Sequence, residues 1–125
     1  MKIRHLVTAA LIVAVHSAWA LEIQPYSAPE MQRLQQAGQA VALHFHADWC
    51  PTCKAQEKVF KGWQGDAAVP GTLLVVDYDN ARDLRRKMGV RTQSTVIVFK
   101  GANETGRLAG DTDPAALRAV LGSAR

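Results

Sequence analysis

The chain has 125 residues, 48% of them hydrophobic, which is enough for one domain with a core of its own. It contains no repeats and no low-complexity segment, so a repeat protein and a second domain are both disfavoured. Its 15 basic and 11 acidic residues give a formal net charge of +4, and the basic residues are not interleaved with aromatic ones, which argues against a nucleic-acid partner.

Residues 1–20 have the pattern of a cleaved signal peptide. A charged start is followed by an apolar segment from Leu6 to Val15, and Ala18-Trp19-Ala20 fits a cleavage site with small residues. The apolar segment falls short of the roughly 20 residues that cross a bilayer, so a membrane span is disfavoured. We therefore expect export of the protein and localisation in the periplasm.

Cleavage after Ala20 would leave residues 21–125 as a single domain. Lys2 and Arg4 would be removed with the signal, so the formal net charge would fall from +4 to +2. Export would also place the cysteines in an oxidising compartment, where they rest as a disulfide unless another protein reduces them.

The first half of this domain is predicted to alternate between strand and helix. Ser27, with Glu30 three residues later, has the pattern of a capping box, and Gly38 suits the position just after a helix. The apolar run that ends at His46 is typical of a buried strand. The predicted elements are a strand over 21–23, a helix over 28–37, a strand over 40–46 and a helix over 50–61.

The second half continues this alternation through a hairpin. Asn80 can cap a helix that Gly89 ends, and Asp113 can cap a last helix with Pro114 in its first position. The predicted elements are a strand over 72–77, a helix over 81–88, hairpin strands over 95–99 and 104–109, and the helix that begins at 114. The order βαβαβαββα predicts an α/β fold with helices on both faces of a sheet.

Cys50 and Cys53 are separated by two residues at the predicted junction of a strand and a helix. A helix N-terminus offers unpaired N–H groups and the positive end of the helix dipole, and both favour a thiolate. The thiolate is the attacking species in disulfide exchange. A ring this short stabilises a fold little, so redox chemistry is favoured over a structural disulfide. We predict Cys50 to be the more exposed cysteine and the nucleophile, and Cys53 to be the resolving thiol.

Three stretches of the sequence carry a resemblance to a known family. They are Ala47-Asp48-Trp49-Cys50 with Cys53-Lys54, Gly89-Val90-Arg91, and Thr95-Val96-Ile97-Val98-Phe99-Lys100-Gly101. In order and spacing, from about Leu21 to the C-terminus, the chain resembles the thioredoxin family. The resemblance implies a thioredoxin fold with a central mixed β-sheet, the same roles for the two cysteines, and protein-disulfide oxidoreductase activity. It implies no cofactor beyond the redox-active disulfide.

Residues around the cysteines indicate the direction of electron flow. The resemblance implies that Trp49 shapes the docking surface and that Pro51 and Thr52 tune the reduction potential. Thr52 stands where strongly oxidising relatives carry a His, whose cation would stabilise the thiolate and favour the reduced form. The Cys-Pro-Thr-Cys sequence is similar to that of thioredoxin-like reductants of cytochrome c maturation. The wider pattern up to Phe60 also resembles the C-terminal domain of the periplasmic membrane electron conductor that feeds them.

The chain departs from the family in the loop expected to face the cysteines. The resemblance implies substrate-binding residues at Gln93, Ser94 and Thr95, but Ser94 takes the place of the family's cis-proline. A cis bond before a residue other than proline costs about 2.5–4 kcal/mol. Either the protein keeps that strain, or the Gln93–Ser94 bond is trans and the loop is rearranged; we favour the trans bond. Members of the family align the substrate backbone on this loop, so the change to Ser94 is expected to affect substrate alignment.

Two histidines mark a second departure. His44 aligns with a buried aspartate of the family and His46 with an aromatic residue. Residues two apart in a strand share a face, so both are expected under or beside Cys53. A neutral His44 could accept the Cys53 proton during exchange; the alternative is a structural histidine. Two cysteines and two histidines could also bind Zn²⁺ or Cu⁺, although the histidines are expected to lie too deep for a tetrahedral site with Cys50.

The sequence therefore predicts an exported, monomeric thiol–disulfide oxidoreductase that reduces disulfides in other exported proteins. A membrane electron donor would keep it reduced. The alternatives are a mild oxidant or isomerase, and a copper- or zinc-handling protein of the same fold.

Overall fold

The structure, a computed structural model, describes Ala10 and residues 20–125. Apart from Ala10 and Ala20, the predicted signal peptide lies outside the described residues. Ala20 forms an isolated antiparallel bridge with Pro70 just before the first strand. Within the described part of the chain, no helix is long and apolar enough to cross a membrane.

Strands and helices follow one another in the predicted order. They are β1 (Glu22–Pro25), α1 (Ala28–Gln36), β2 (Ala40–His46), α2 (Pro51–Gly62), β3 (Thr72–Asp77), α3 (Arg82–Met88), β4 (Thr95–Lys100), β5 (Asn103–Ala109) and α4 (Pro114–Leu121), followed by a 3-10 turn at Gly122–Ala124.

The five strands form one mixed sheet in the order β1-β3-β2-β4-β5. β3 pairs in parallel with β1 and β2, whereas β4 is antiparallel to both β2 and β5. The register sets Phe45 near the end of β2 opposite Thr95 at the start of β4. The loop before β4 therefore lies at the same edge of the sheet as the start of α2.

Each face of the sheet buries its own apolar cluster, because alternate side chains of a strand point to opposite faces. The cluster on the α2 and α4 face includes Ala42, Phe60, Leu73, Val96, Val98 and Leu117. The cluster on the α1 face includes Met31, Leu34, Leu43, Phe45, Leu74 and Ile97, with Leu84 and Met88 of α3 packed against it. The prediction of helices on both faces is confirmed.

Most of the predicted helix ends are confirmed. The Ser27 hydroxyl accepts the Glu30 N–H at 3.3 Å, and the Asp113 carboxylate accepts the Ala115 N–H at 3.2 Å. Gly38 and Gly89 follow their helices with φ of 68° and 66°, a conformation that glycine adopts without steric cost.

The prediction that Asn80 caps α3 is wrong. The N-cap is Ala81, which offers no side-chain hydrogen bond, and Asn80 lies one residue too early. Its amide Nδ2 donates instead to the Asp77 carboxylate at 2.6 Å, because the turn between β3 and α3 folds the two side chains together.

Candidate active site

Cys50 and Cys53 form a disulfide at the start of α2, with Cα atoms 5.3 Å apart. Cys50 is the N-cap of the helix, and its Sγ accepts the backbone N–H of Cys53 at 3.0 Å. Pro51 occupies the first helical position, where its missing N–H costs nothing. The Cys50 sulfur is thus the one nearer to the unpaired N–H groups of the helix end. This position is the one expected for the nucleophile.

Exposure does not separate the two sulfurs, contrary to the prediction. Cys50 is 1% exposed and Cys53 0%. The Cys50 side chain folds back over the first turn of α2 to reach the Cys53 N–H, and does not project into solvent. Its position as N-cap, and not its exposure, distinguishes it from Cys53.

Trp49 lies on the surface beside the disulfide and is 59% exposed. Its indole N–H donates to the Asp79 carboxylate at 2.8 Å, and this contact ties the tryptophan to the turn after β3. Trp49 is therefore not a core residue, and its substrate-docking role stays a prediction. No pattern in the sequence predicted the contact between Trp49 and Asp79.

Ser94 of the loop before β4 reaches both cysteines. Its hydroxyl oxygen lies 3.5 Å from the Cys50 sulfur and 3.6 Å from the Cys53 sulfur. The Gln93–Ser94 bond is trans, as favoured from the sequence, and Ser94 has a φ of 62°. Its N–H donates to the Phe45 carbonyl at 2.9 Å, a bond that a proline could not make. The neighbouring Thr95 hydroxyl donates to the Thr92 carbonyl at 2.8 Å and closes the loop.

His44 is buried on the α2 face, with its Nε2 atom 2.8 Å from Oε1 of Gln56. The Gln56 amide nitrogen donates to the carbonyls of Ser94 and Asp111, so Oε1 must be the atom that faces His44. His44 Nε2 therefore carries the hydrogen, and Nδ1 is the acceptor atom of the neutral ring. Burial lowers the pKa of His44 to about 4, so the ring is neutral at pH 7.

The proposed transfer of the Cys53 proton to His44 stays a prediction. Among the described residues, the polar contacts of the Cys53 sulfur are the Ser94 hydroxyl and, at 3.8 Å, the Phe45 carbonyl.

Gln56 is a residue of the site that the sequence reasoning missed. It is fully buried and makes three hydrogen bonds, which join α2 to β2, to the Ser94 loop and to the loop before α4. Gln56 lies three residues after Cys53 and four before Phe60, on the buried face of α2. A polar residue in the apolar stripe of a helix was the available signal, because it must find partners in the core.

Replacing Gln56 by Leu should lower the free energy of unfolding by about 3 kcal/mol, because each buried polar group left unpaired costs about 1–3 kcal/mol. The change leaves the His44 N–H and the Asp111 carbonyl without their hydrogen-bond partner. The Ser94 carbonyl keeps its hydrogen bond from the Gly110 N–H. Urea unfolding of the oxidised protein measures the effect. Gln36→Leu, on the exposed surface of α1, is the matched control and should change little. Equal stabilities of the two variants would contradict the role given to Gln56.

His46 lies near the protein surface between two carboxylates. Its Nε2 is 3.2 Å from Glu57, and its Nδ1 is 3.8 Å from Asp48. Lys61, hydrogen-bonded to Glu57, lowers the pKa of that carboxyl group. In the described part of the chain, no group of three or more His, Cys, Asp and Glu side chains is arranged to hold a metal ion.

Comparison with known proteins agrees with this geometry. The sequence profile of the thioredoxin family matches residues 28–123. The chain belongs to the thioredoxin family. It is 33% identical over 73 residues to a thioredoxin-like protein of Fusarium culmorum and 36% identical over 73 residues to thioredoxin H2-1 of Oryza sativa subsp. japonica. These matches span 57% and 56% of this chain, but only 60% and 50% of the relatives' own lengths.

A solved structure extends the likeness to nearly the whole thioredoxin domain. Trxlp from Edwardsiella tarda superposes with a TM-score of 0.75 at 31% identity, over 80% of this chain and 98% of that protein. The predicted thioredoxin fold is confirmed, and the CxxC pair stands in it as a disulfide at the start of α2. The chain thus has the family, the fold and the cysteine pair of a thiol–disulfide oxidoreductase.

Proposed function

We propose that the protein is a periplasmic thiol–disulfide oxidoreductase that reduces disulfides of other exported proteins. The observation that carries the proposal is the Cys50 sulfur at the N-cap of α2, hydrogen-bonded to the Cys53 N–H and bonded to its sulfur. A backbone N–H at a helix N-terminus stabilises a thiolate when the disulfide opens.

The proposed reaction passes two electrons from the cysteine pair to the substrate. The Cys50 thiolate attacks a substrate disulfide, forms a mixed disulfide and releases the first substrate thiolate, which takes a proton from water. The Cys53 thiol gives its proton to a base, for which His44 is the predicted acceptor. The Cys53 sulfur then attacks the Cys50 sulfur, and the second substrate thiolate leaves and takes up a proton. The Cys50–Cys53 pair is then oxidised, and a donor dithiol must reduce it before the next cycle.

The direction of electron flow rests on Thr52, which occupies the second position of α2 between the cysteines. A threonine adds no positive charge beside the thiolate, so it does not favour the reduced form as a His cation would. We expect a reduction potential nearer the about −270 mV of thioredoxin than the about −120 mV of the strongest oxidants of the fold. Equilibration with glutathione buffers measures it.

Thr52→His should raise that potential by about 30 mV or more, since a tenfold change in the equilibrium corresponds to about 30 mV. Thr52→Val, which adds no charge, is the control. A wild-type potential above about −150 mV would contradict the reductant and favour the mild oxidant or isomerase.

The location rests on the signal-peptide pattern of residues 1–20. When the full chain is expressed in a Gram-negative bacterium, we expect a periplasmic protein that begins at Leu21. Mass spectrometry of periplasmic and cytosolic fractions tests this. A full-length protein confined to the cytosol would overturn the location, and with it the membrane electron donor. Size-exclusion chromatography of the same material tests the proposed monomer.

A further inference from the structure

The Ser94 hydroxyl lies almost equally far from the two sulfurs, at 3.5 Å and 3.6 Å. Ser94 is 3% exposed, so water does not compete freely for its hydroxyl. A hydroxyl has one hydrogen to donate and lone pairs to accept. It can therefore serve one sulfur as donor and the other as acceptor at the same time.

The backbone holds this hydroxyl in place. The Ser94 N–H is bonded to the Phe45 carbonyl, and its carbonyl accepts from the Gly110 N–H at 3.1 Å and from the Gln56 amide at 3.0 Å. The φ of 62° lies in the left-handed region, which residues other than glycine adopt only at a steric cost. A strained backbone fixed by three hydrogen bonds leaves the side chain directed at the disulfide.

Opening the disulfide leaves a Cys50 thiolate, which needs a hydrogen-bond donor, and a Cys53 thiol, which needs a hydrogen-bond acceptor. The Cys50 thiolate keeps the Cys53 backbone N–H as a donor, and among the described residues its other polar side-chain neighbour is the Ser94 hydroxyl. The Cys53 thiol keeps its hydrogen, for which the Ser94 oxygen lies closer than the Phe45 carbonyl.

We propose that Ser94 is a catalytic residue, whose hydroxyl donates a hydrogen bond to the Cys50 thiolate and accepts one from the Cys53 thiol. The proposal rests on the exchange reaction proposed above. The hydroxyl holds the single proton of the reduced pair on Cys53 and the negative charge on Cys50. Ser94 thus sets both the nucleophile and the stability of the reduced form.

The test compares Ser94→Ala and Ser94→Gly with the wild type. Both variants lack the hydroxyl, while glycine also suits the observed φ and relieves the backbone strain. A hydrogen bond to a charged group is strong enough to change the thiol–thiolate equilibrium about tenfold. In the reduced variants, the midpoint of Cys50 alkylation by iodoacetamide against pH should rise by about one unit. The reduction potential at pH 7 should fall by up to about 30 mV, the value for a tenfold change.

Ser123→Ala is the control, because it removes a serine hydroxyl bonded to Thr105 and Val120 that contacts neither cysteine. It should leave the midpoint and the potential unchanged. Wild-type values in both Ser94 variants would overturn the proposal, as would a shift in Ser94→Ala that Ser94→Gly does not share. Alkylation needs no turnover, so this result is independent of the exchange assay. A wild-type protein that exchanges no disulfide would contradict the proposed function. An unchanged midpoint of Cys50 alkylation in the Ser94 variants would contradict only the role of Ser94.

Discussion

Replacing Cys50 by Ser should lower the rate of disulfide reduction by on the order of a thousandfold or more, because the variant lacks the covalent nucleophile. The Cys50 sulfur is the atom at the N-cap that accepts the Cys53 N–H. A serine hydroxyl in its place cannot form a mixed disulfide. Release of glutathione from a glutathionylated peptide, with dithiothreitol as donor, measures the rate.

Cys53→Ser is the companion variant, because it should allow the first step and block the second. The mixed disulfide between Cys50 and the peptide should accumulate and appear by mass spectrometry. In the reduced wild type, iodoacetamide should label Cys50 before Cys53. Full activity of Cys50→Ser, or trapping of the peptide on Cys53, would reverse the roles given to the two cysteines.

Acid should destabilise the folded protein through His44. Burial lowers the pKa of His44 from 6.5 to about 4, so the unfolded chain binds this proton at a higher pH than the folded one. The stability that the neutral ring contributes is fully present above about pH 6.5 and is lost as the pH falls toward 4. A shift of this size corresponds to about 3 kcal/mol in the free energy of unfolding.

His44→Asn isolates this effect, because asparagine keeps much of the volume and does not titrate. The Glu30, Glu57 and Glu104 carboxyl groups also have lowered pKa values, but they titrate in both proteins and cancel in the difference. Urea unfolding at pH 7 and pH 4 should show a larger loss in the wild type by about 3 kcal/mol. An equal loss in both proteins would contradict a buried neutral His44. The same variant tests the proton-acceptor role, which predicts slower release of the peptide from Cys50 with unchanged Cys50 alkylation.

Most signals between near neighbours in the chain were interpreted correctly from the sequence, with the predicted Asn80 cap as the exception. Ser27 and Asp113 cap their helices, and Gly38 and Gly89 end theirs. These features depend on backbone groups within four residues, so the local sequence contains the whole interaction. The alternation of strands and helices, and the disulfide at a helix start, follow from the same short-range rules.

The atoms that meet across distant segments were decided by the tertiary structure, although the family resemblance had indicated that the Ser94 loop faces the cysteines. Ser94 meets Cys50 across 44 positions, and Trp49 meets Asp79 across 30. Gln56 was missed because its partners depend on which loop the antiparallel pairing of β2 with β4 brings over α2. The sequence by itself determined the elements, the cysteine pair and its place at a helix end, because those interactions are local. Only the sheet register decided what surrounds the sulfurs, since it brings the Ser94 hydroxyl and the Phe45 carbonyl within contact distance of them.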